Sequence, residues 1–231
     1  MAPGGWRDLI TLLHPPYTAW HLSYVALGAA VAPTVHADRL GAALAAFFLA
    51  VGVAAHALDE LHGRPLKTRL SDTALIVLAV VGLGGAVAIG VAGMLTISAW
   101  LAPLVAAGAF LVVAYNLELF GGRVHDDLWF ALAWGGFPAF TGYFVNALQI
   151  RPAGLLVAAA CTLLSVAQRS LSTPARELRR RTAQITGTQT LVNGEIRPLD
   201  AQGLAEPLER ALRALWLALV ILAVGLVAVR L

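Results

Sequence analysis

An all-α integral membrane protein, a bundle of about seven transmembrane helices with a small cytoplasmic β-hairpin insertion, is the fold class this sequence predicts. Three observations carry it. The 231 residues are 59% hydrophobic and only 13% charged, whereas a soluble domain carries about 25% charged residues. Apolar stretches near the ~20 residues that a helix needs to cross the hydrocarbon core recur along the whole chain. The basic residues between them fall almost entirely on alternate connections.

The segment Met1 to Tyr17 comes first. Trp6, Arg7, Asp8, His14, Pro15 and Pro16 interrupt any signal-peptide core and no small-residue cleavage site appears, so no processing is expected. Spans are then predicted near 18–35, 40–59, 73–93, 96–116, 127–148, 152–172 and 209–230. The first, third and fifth connections are short turns around Ala37, Met94 and Ile150, while the second, fourth and sixth are polar.

Charge gives the orientation. Of the 16 Lys and Arg residues, Arg39, Arg151 and Arg230 alone lie on the side of the short turns. The others, from Arg7 through Arg64, Lys67, Arg69, Arg123 and Arg169 to Arg213, lie on the opposite side. The positive-inside rule then puts the N-terminus in the cytoplasm, and an odd number of spans puts the C-terminus outside. The net charge of +3 reflects this asymmetry. Arginines beside hydrophobic spans, with no aromatic-rich soluble face, make a membrane lipid the expected partner and nucleic acid not; no feature names a protein partner.

Residues 173–208 are the one sizeable soluble insertion in what is otherwise a single membrane domain, 1–231. It opens with the basic run Arg176 to Arg181, which reads first as a topology anchor and second as a site for anionic headgroups or a substrate phosphate. Asn193-Gly194 then sits between two short apolar/polar alternations, the signal for a two-residue hairpin turn. Cys161, the only cysteine, has no disulfide partner and lies in an apolar run as a small core residue.

Chemistry gathers on the cytoplasmic side. Helical spacing at the end of the second span puts His56, Asp59 and Glu60 on one face, where they can share a cation or simply mark where the helix meets water. Carboxylates suit Mg²⁺, which bridges them to substrate phosphates, whereas added imidazoles suit Zn²⁺, Mn²⁺ or Fe. The step from Glu60 to His62 does not fit one face, so His62 is a poor ligand. The fourth connection offers Asn116 and Glu118 as oxygen ligands or bases and Arg123 for a phosphate, with His125 close by. Asp126 and Asp127 read first as helix caps. Gln168 and Arg169 end the sixth span at the same level, where Arg169 either neutralises a phosphate or snorkels. Gly135, Gly136, Pro138 and Gly142 open a pocket or pack closely. His21 faces a cavity or a neighbouring helix.

With these residues in place, the chain resembles the UbiA superfamily of intramembrane prenyltransferases. His14-Pro15-Pro16-Tyr17-Thr18-Ala19-Trp20 through Leu27-Gly28 looks like that family's first helix. His56 to Asp59 falls where its first aspartate motif sits, and Gly63-Arg64-Pro65-Leu66 to Leu70-Ser71 is similar to the Arg-Pro-Leu…Ser stretch that follows it. Tyr115-Asn116 with Arg123, then Trp134-Gly135-Gly136-Phe137-Pro138 and Gly142-Tyr143, looks like the junction of its fourth and fifth helices. The likeness covers roughly residues 14–172.

It implies a UbiA-like bundle in which aspartate-rich loops hold Mg²⁺ on a prenyl diphosphate while an acceptor attacks the allylic cation. On that pattern Asp59, Glu60, Asn116 and Glu118 are the catalytic candidates. Arg64, Arg123 and Arg169 are the substrate-binding ones, and His56, Asp59 and Glu60 the metal ligands. The sequence departs from the family at Ala55, His56 and Gly63, where the motif has Asn, Asp and Asp. It has no second aspartate motif, since Gln168-Arg169-Ser170-Leu171-Ser172 stands in that place. Three functions stay open: metal-assisted prenyl transfer from a diphosphate onto an isoprenoid or related lipid pathway, a His/carboxylate metalloenzyme with redox or hydrolytic chemistry, and a noncatalytic lipid-binding or assembly protein.

Overall fold

A computed structural model describes residues 5–231 and is predominantly helical. Its helices in chain order are α1 Trp6–Leu13, α2 Pro15–Ala30, α3 Ala37–Leu61, α4 Asp72–Thr96, α5 Ala99–Asn116, α6 Asp127–Ala147, α7 Pro152–Arg180 and α8 Ala201–Arg230. The six from α3 to α8 are long and apolar enough to cross a membrane, which makes this a multi-pass membrane protein. Their most apolar windows leave much side-chain surface outside the packed interior. Only 17%, 17% and 11% of those windows in α4, α7 and α8 are buried, and Val80, Leu95, Leu163 and Ile221 face outward. Water does not tolerate that much contiguous apolar surface, and lipid does.

The count of long apolar helices is six, where the sequence predicts about seven spans. The difference lies in the stretch expected at 18–35. That stretch is α2, whose helix ends at Ala30 shortly before Pro33, a residue unable to continue the ladder. Its 16 residues rise about 24 Å, against a hydrocarbon thickness of about 30 Å.

Although short, α2 is the centre of the bundle. Trp20, His21, Tyr24, Val25, Leu27, Gly28 and Ala29 are all buried, so it is covered nearly all round. It packs on α6 at backbone distance: a Cβ at Gly28 would collide with the Ala139 carbonyl, and one at Gly142 with the Val25 carbonyl. Small residues let two helix backbones approach this closely in a membrane protein. Trp20 Nε1–H donates to the Tyr24 hydroxyl (2.5 Å), which also accepts from Ser165 on α7 (3.2 Å). Cys161 is buried in the same cluster with Leu27, Ala139 and Leu219.

Two helices are locally widened into π-turns, at Phe48–Ala55 in α3 and at Leu132–Gly136 in α6. Such turns are rare and gather at functional sites. Here they immediately precede His56 and contain Trp134. On the far side of α6, Gly135 lies against the Cys161 carbonyl of α7, where a Cβ would come within 2.6 Å of that oxygen.

The insertion expected over 173–208 is much smaller in the structure. α7 continues through Pro174 to Arg180 and α8 begins at Ala201, so both outlast the spans expected at 152–172 and 209–230. At 29 and 30 residues the two helices measure about 43 and 45 Å, well beyond the hydrocarbon core. Arg179 locks their projecting ends together with a bidentate pair to Glu209, both bonds 2.7 Å. Between them runs an antiparallel hairpin, β1 Thr188–Thr190 with β2 Ile196–Pro198, in the register Thr188↔Pro198, Gln189↔Arg197, Thr190↔Ile196. Asn193-Gly194 does lie in its turn, but the loop is one residue wider than expected. The Leu191 carbonyl accepts from Gly194 N–H and Leu191 N–H donates to Glu195, leaving Val192 to Gly194 as the loop with Gly194 at φ +83°. A turn closed by a left-handed glycine is the usual three-residue form.

Candidate functional site

A cavity of about 680 Å³ opens at the end of the bundle where α7 and α8 project. Its floor is the start of α2, with His14 and Tyr17, and His56 and Asp59 of α3 stand beside them. Tyr115 and Asn116 come from the end of α5, His125 from the following loop, and Phe130 and Trp134 from α6. The fourth wall is basic: Arg169, Arg176, Arg179 and Arg180 of α7 all line it, faced by Glu209 and Trp216 of α8.

Aromatic rings form the deeper part. Tyr17 meets His56 at 5.5 Å and His21 at 4.3 Å between ring centroids, and His14 lies 6.2 Å from His56. Tyr115 stacks on His125 at 4.3 Å and meets the Trp134 edge at 5.6 Å. Backbone bonds set the imidazoles. His21 Nδ1–H donates to the Trp134 carbonyl (2.6 Å) in the π-turn, and His125 Nδ1–H to the Tyr115 carbonyl (2.9 Å). Among the described residues the Nε2 atom of buried His21 has no hydrogen-bond partner, and neither has the amide oxygen of Gln168 on the cavity wall. His14, in the cavity lining, has its imidazole pKa lowered from 6.5, first by desolvation and further by the positive fields of Arg180 and Arg176.

Of the residues singled out in the sequence, the structure brings His56, Asp59, Asn116 and Arg169 to this cavity. Arg169 is held by Asp127 (Nε–Oδ1 2.7 Å) and lies 4.8 Å over the Phe130 ring. Asn116 donates its amide N–H to the Val112 carbonyl one turn back (2.7 Å). Glu60, Glu118, Arg123 and Arg64 lie outside the cavity lining. Glu118, exposed, is 3.9 Å from His125 Nε2, and Arg123 is exposed on the same loop. Arg64 pairs with Asp72 and donates to the Leu70 carbonyl (2.6 Å), closing its own loop.

Glu60 is the clearest correction. The sequence puts it beside His56 and Asp59 as a metal ligand and catalytic group. Instead it is fully buried and turned into the loop that follows: Oε2 accepts from Leu66 N–H (2.8 Å), and Oε1 from Thr68 N–H (2.7 Å) and Thr68 Oγ1–H (2.9 Å). Its three acceptor bonds fold residues 62–70 back on the helix end. Among the described residues, no three His, Cys, Asp or Glu side chains are grouped to hold a metal ion. The cavity's carboxylates are Asp59 and Glu209, and Glu209 is engaged by Arg179. Such a donor set does not make a protein-only cage for a divalent cation; one or two carboxylates hold Mg²⁺ only together with substrate phosphates.

What the sequence reading undervalued is the arginine wall. Arg169, Arg176 and Arg180 are spaced by seven and four residues, which places them on one face of a continuous helix. That signal is visible only if the helix is carried through Pro174.

A second, predominantly apolar cavity of about 130 Å³ adjoins the first between α3, α4, α5 and α6, with Phe47, Leu83, Val112 and Phe137 in its lining and Arg39 and Thr141 as its polar residues. Val51 and Trp134 line both, so one partition separates a basic chamber from an apolar groove.

No protein-family model matches this chain, and neither a curated protein nor a solved structure matches it.

Proposed function

We propose that the chain is a UbiA-like membrane bundle in which α2 serves as a short seventh span, with the arginine-rich end in the cytoplasm. Its function on this reading is to bind an isoprenoid diphosphate or related lipid and to transfer the prenyl group to an acceptor. The observation that supports it best is the junction at Val51 and Trp134, where a chamber carrying four arginines and two carboxylates meets a groove with hydrocarbon walls. A molecule with a polyanionic head and a long apolar tail is the ligand chemistry that such a pair of cavities fits.

In the proposed reaction the C1–O bond of the allylic diphosphate breaks and its electron pair leaves with the diphosphate. Guanidinium groups of α7 balance the charge that develops on the leaving group. The faces of Tyr17, Tyr115, Phe130 and Trp134 border the space in which the allylic carbon carries positive charge, an arrangement that favours a cation. The acceptor's nucleophilic atom bonds to C1 and gives up a proton, for which Asp59 or neutral His56 is the base within the chamber. The Mg²⁺ that the family resemblance implies, or Zn²⁺, Mn²⁺ or Fe in its place, finds no protein-only site among the described residues.

The test is release of diphosphate from labelled geranylgeranyl diphosphate by protein in nanodiscs supplied with a membrane-lipid extract. Wild type should release it with transfer of label to an extractable lipid, and Asp59→Asn should lower the rate about 100-fold or more, the usual range for a lost general base. Binding without release under any acceptor would instead favour a noncatalytic lipid carrier.

A further inference from the structure

The chamber that makes no protein-only cage for a divalent cation among the described residues is built to meet an anion directly. The chamber's basic wall is not a neutralised surface. Arg169 pairs with Asp127 and Arg179 with Glu209, but no carboxylate pairs with Arg176 or Arg180 among the described residues. Their bonds within the structure are weak ones to neutral oxygens: Arg176 to the Ser172 carbonyl (3.3 Å) and Thr173 Oγ1 (3.5 Å), and Arg180 to the Pro65 carbonyl (3.4 Å). Both side chains are solvent-accessible and both line the chamber. They stand four residues apart on α7, hence one turn and about 6 Å along the axis, a spacing that suits two linked phosphoryl groups.

The wall is also fixed in position. Arg169 anchors α7 to the start of α6 through Asp127, and Arg179 anchors it to α8 through Glu209. Of the two arginines with no carboxylate partner among the described residues, Arg176 therefore lies between two ion-paired points on one helix and Arg180 directly follows the second. A polyanion meeting them need not order the helix that carries them. A divalent cation approaching the same wall meets net positive charge, since Asp59, Glu209 and the Asp127 that pairs with Arg169 oppose four guanidinium groups.

We infer that Arg176 and Arg180 bind the diphosphate of the ligand directly, as a guanidinium clamp that takes the place of protein-held divalent metal, so that head-group binding needs no metal ion. This rests on the diphosphate reading of the preceding section and narrows it to one mode of binding. Arg169, two turns deeper and over the Phe130 ring, lies toward the bond that breaks. Arginine suits the clamp because its planar fork makes paired hydrogen bonds to phosphate oxygens and stays charged at any working pH.

The experiment is isothermal calorimetry on detergent-purified full-length protein with geranylgeranyl diphosphate and, separately, inorganic diphosphate. Each is titrated in EDTA and in millimolar Mg²⁺. With EDTA the Kd for geranylgeranyl diphosphate should stay within about twofold of its value in Mg²⁺, and inorganic diphosphate should bind more weakly but also without metal. Arg176→Gln and Arg180→Gln should each weaken binding about tenfold or more, as loss of a charge-assisted contact does. Arg176→Lys should recover part of that loss. Arg181→Gln, which removes the same charge next to the clamp but outside the chamber lining, should change it less than twofold. Binding lost in EDTA and restored by Mg²⁺ overturns the clamp and leaves the diphosphate reading standing. Absence of binding under both conditions overturns both. An unchanged Kd in Arg176→Gln and Arg180→Gln, with binding intact, overturns the clamp alone.

Discussion

Replacing Glu60 with Gln separates a structural carboxylate from a catalytic one. In the native protein both Glu60 oxygens act only as acceptors, from Leu66 N–H, Thr68 N–H and Thr68 Oγ1–H. A glutamine keeps one carbonyl oxygen, enough for the two Thr68 donors, and turns an NH₂ group toward Leu66 N–H. Two donors then face one another at a buried site, and the remaining bonds lose the strengthening a charge gives them. An unmet buried donor costs about 1–3 kcal/mol. At about 2 kcal/mol the loop opens more readily, and amide exchange at Leu66 and Thr68 should accelerate about 30-fold by hydrogen-exchange mass spectrometry. The melting temperature in detergent should fall by several degrees. Diphosphate affinity should change little, because the Glu60 carboxylate is not part of the chamber wall. Unchanged exchange at these amides, together with lost ligand binding, would refute this assignment and return Glu60 to the site.

Two further tests bear on the fold. Gly28→Ala places a methyl group against the Ala139 carbonyl and should destabilise the protein by about 1–3 kcal/mol or more, the range for overpacking. Gly84→Ala, where a Cβ meets nothing within 4 Å, should be neutral or stabilising by up to about 1 kcal/mol; the pair is compared by thermal melting in one detergent. His14 has a folded pKa below its unfolded 6.5, so between those two values the unfolded state binds more protons. Stability should therefore be full above pH 6.5 and decline as pH falls through the folded pKa. His14→Gln should remove part of that decline between pH 7 and 5, and a slope identical to wild type would show that His14 is not its source.

The long apolar helices were readable because lipid imposes one requirement on every span, a run of about 20 residues without charge. Their ends were not. Past Leu171 the rule stops applying, because water satisfies the backbone there and the helix is held by contacts such as Arg179–Glu209 that join residues 30 apart in sequence. Pro174 and Pro207, residues that usually end a helix, are both absorbed inside helices here. For the site, helical spacing correctly placed His56 and Asp59 near one face, but spacing cannot tell which way a carboxylate at a helix end turns. Glu60 is only one residue from Asp59, and the deciding partners, Leu66 and Thr68, belong to a loop whose path local pattern does not encode.

The lengths of the helices account for there being a chamber at all. α2 is the innermost helix and the shortest of those that run through the bundle, at 16 residues, while α7 and α8 beside it have 29 and 30. A central post cut short within taller staves leaves a well, and its depth follows from the difference in their heights. The prolines at positions 15 and 16 fix where the post stops. One more helical turn added ahead of Pro15 would raise the floor by about 5.4 Å, carrying His14 up toward the clamp and covering Tyr17. The capacity of the well is thus written in the number of residues before the first buried turn, a quantity that can change without altering a single side chain on its walls.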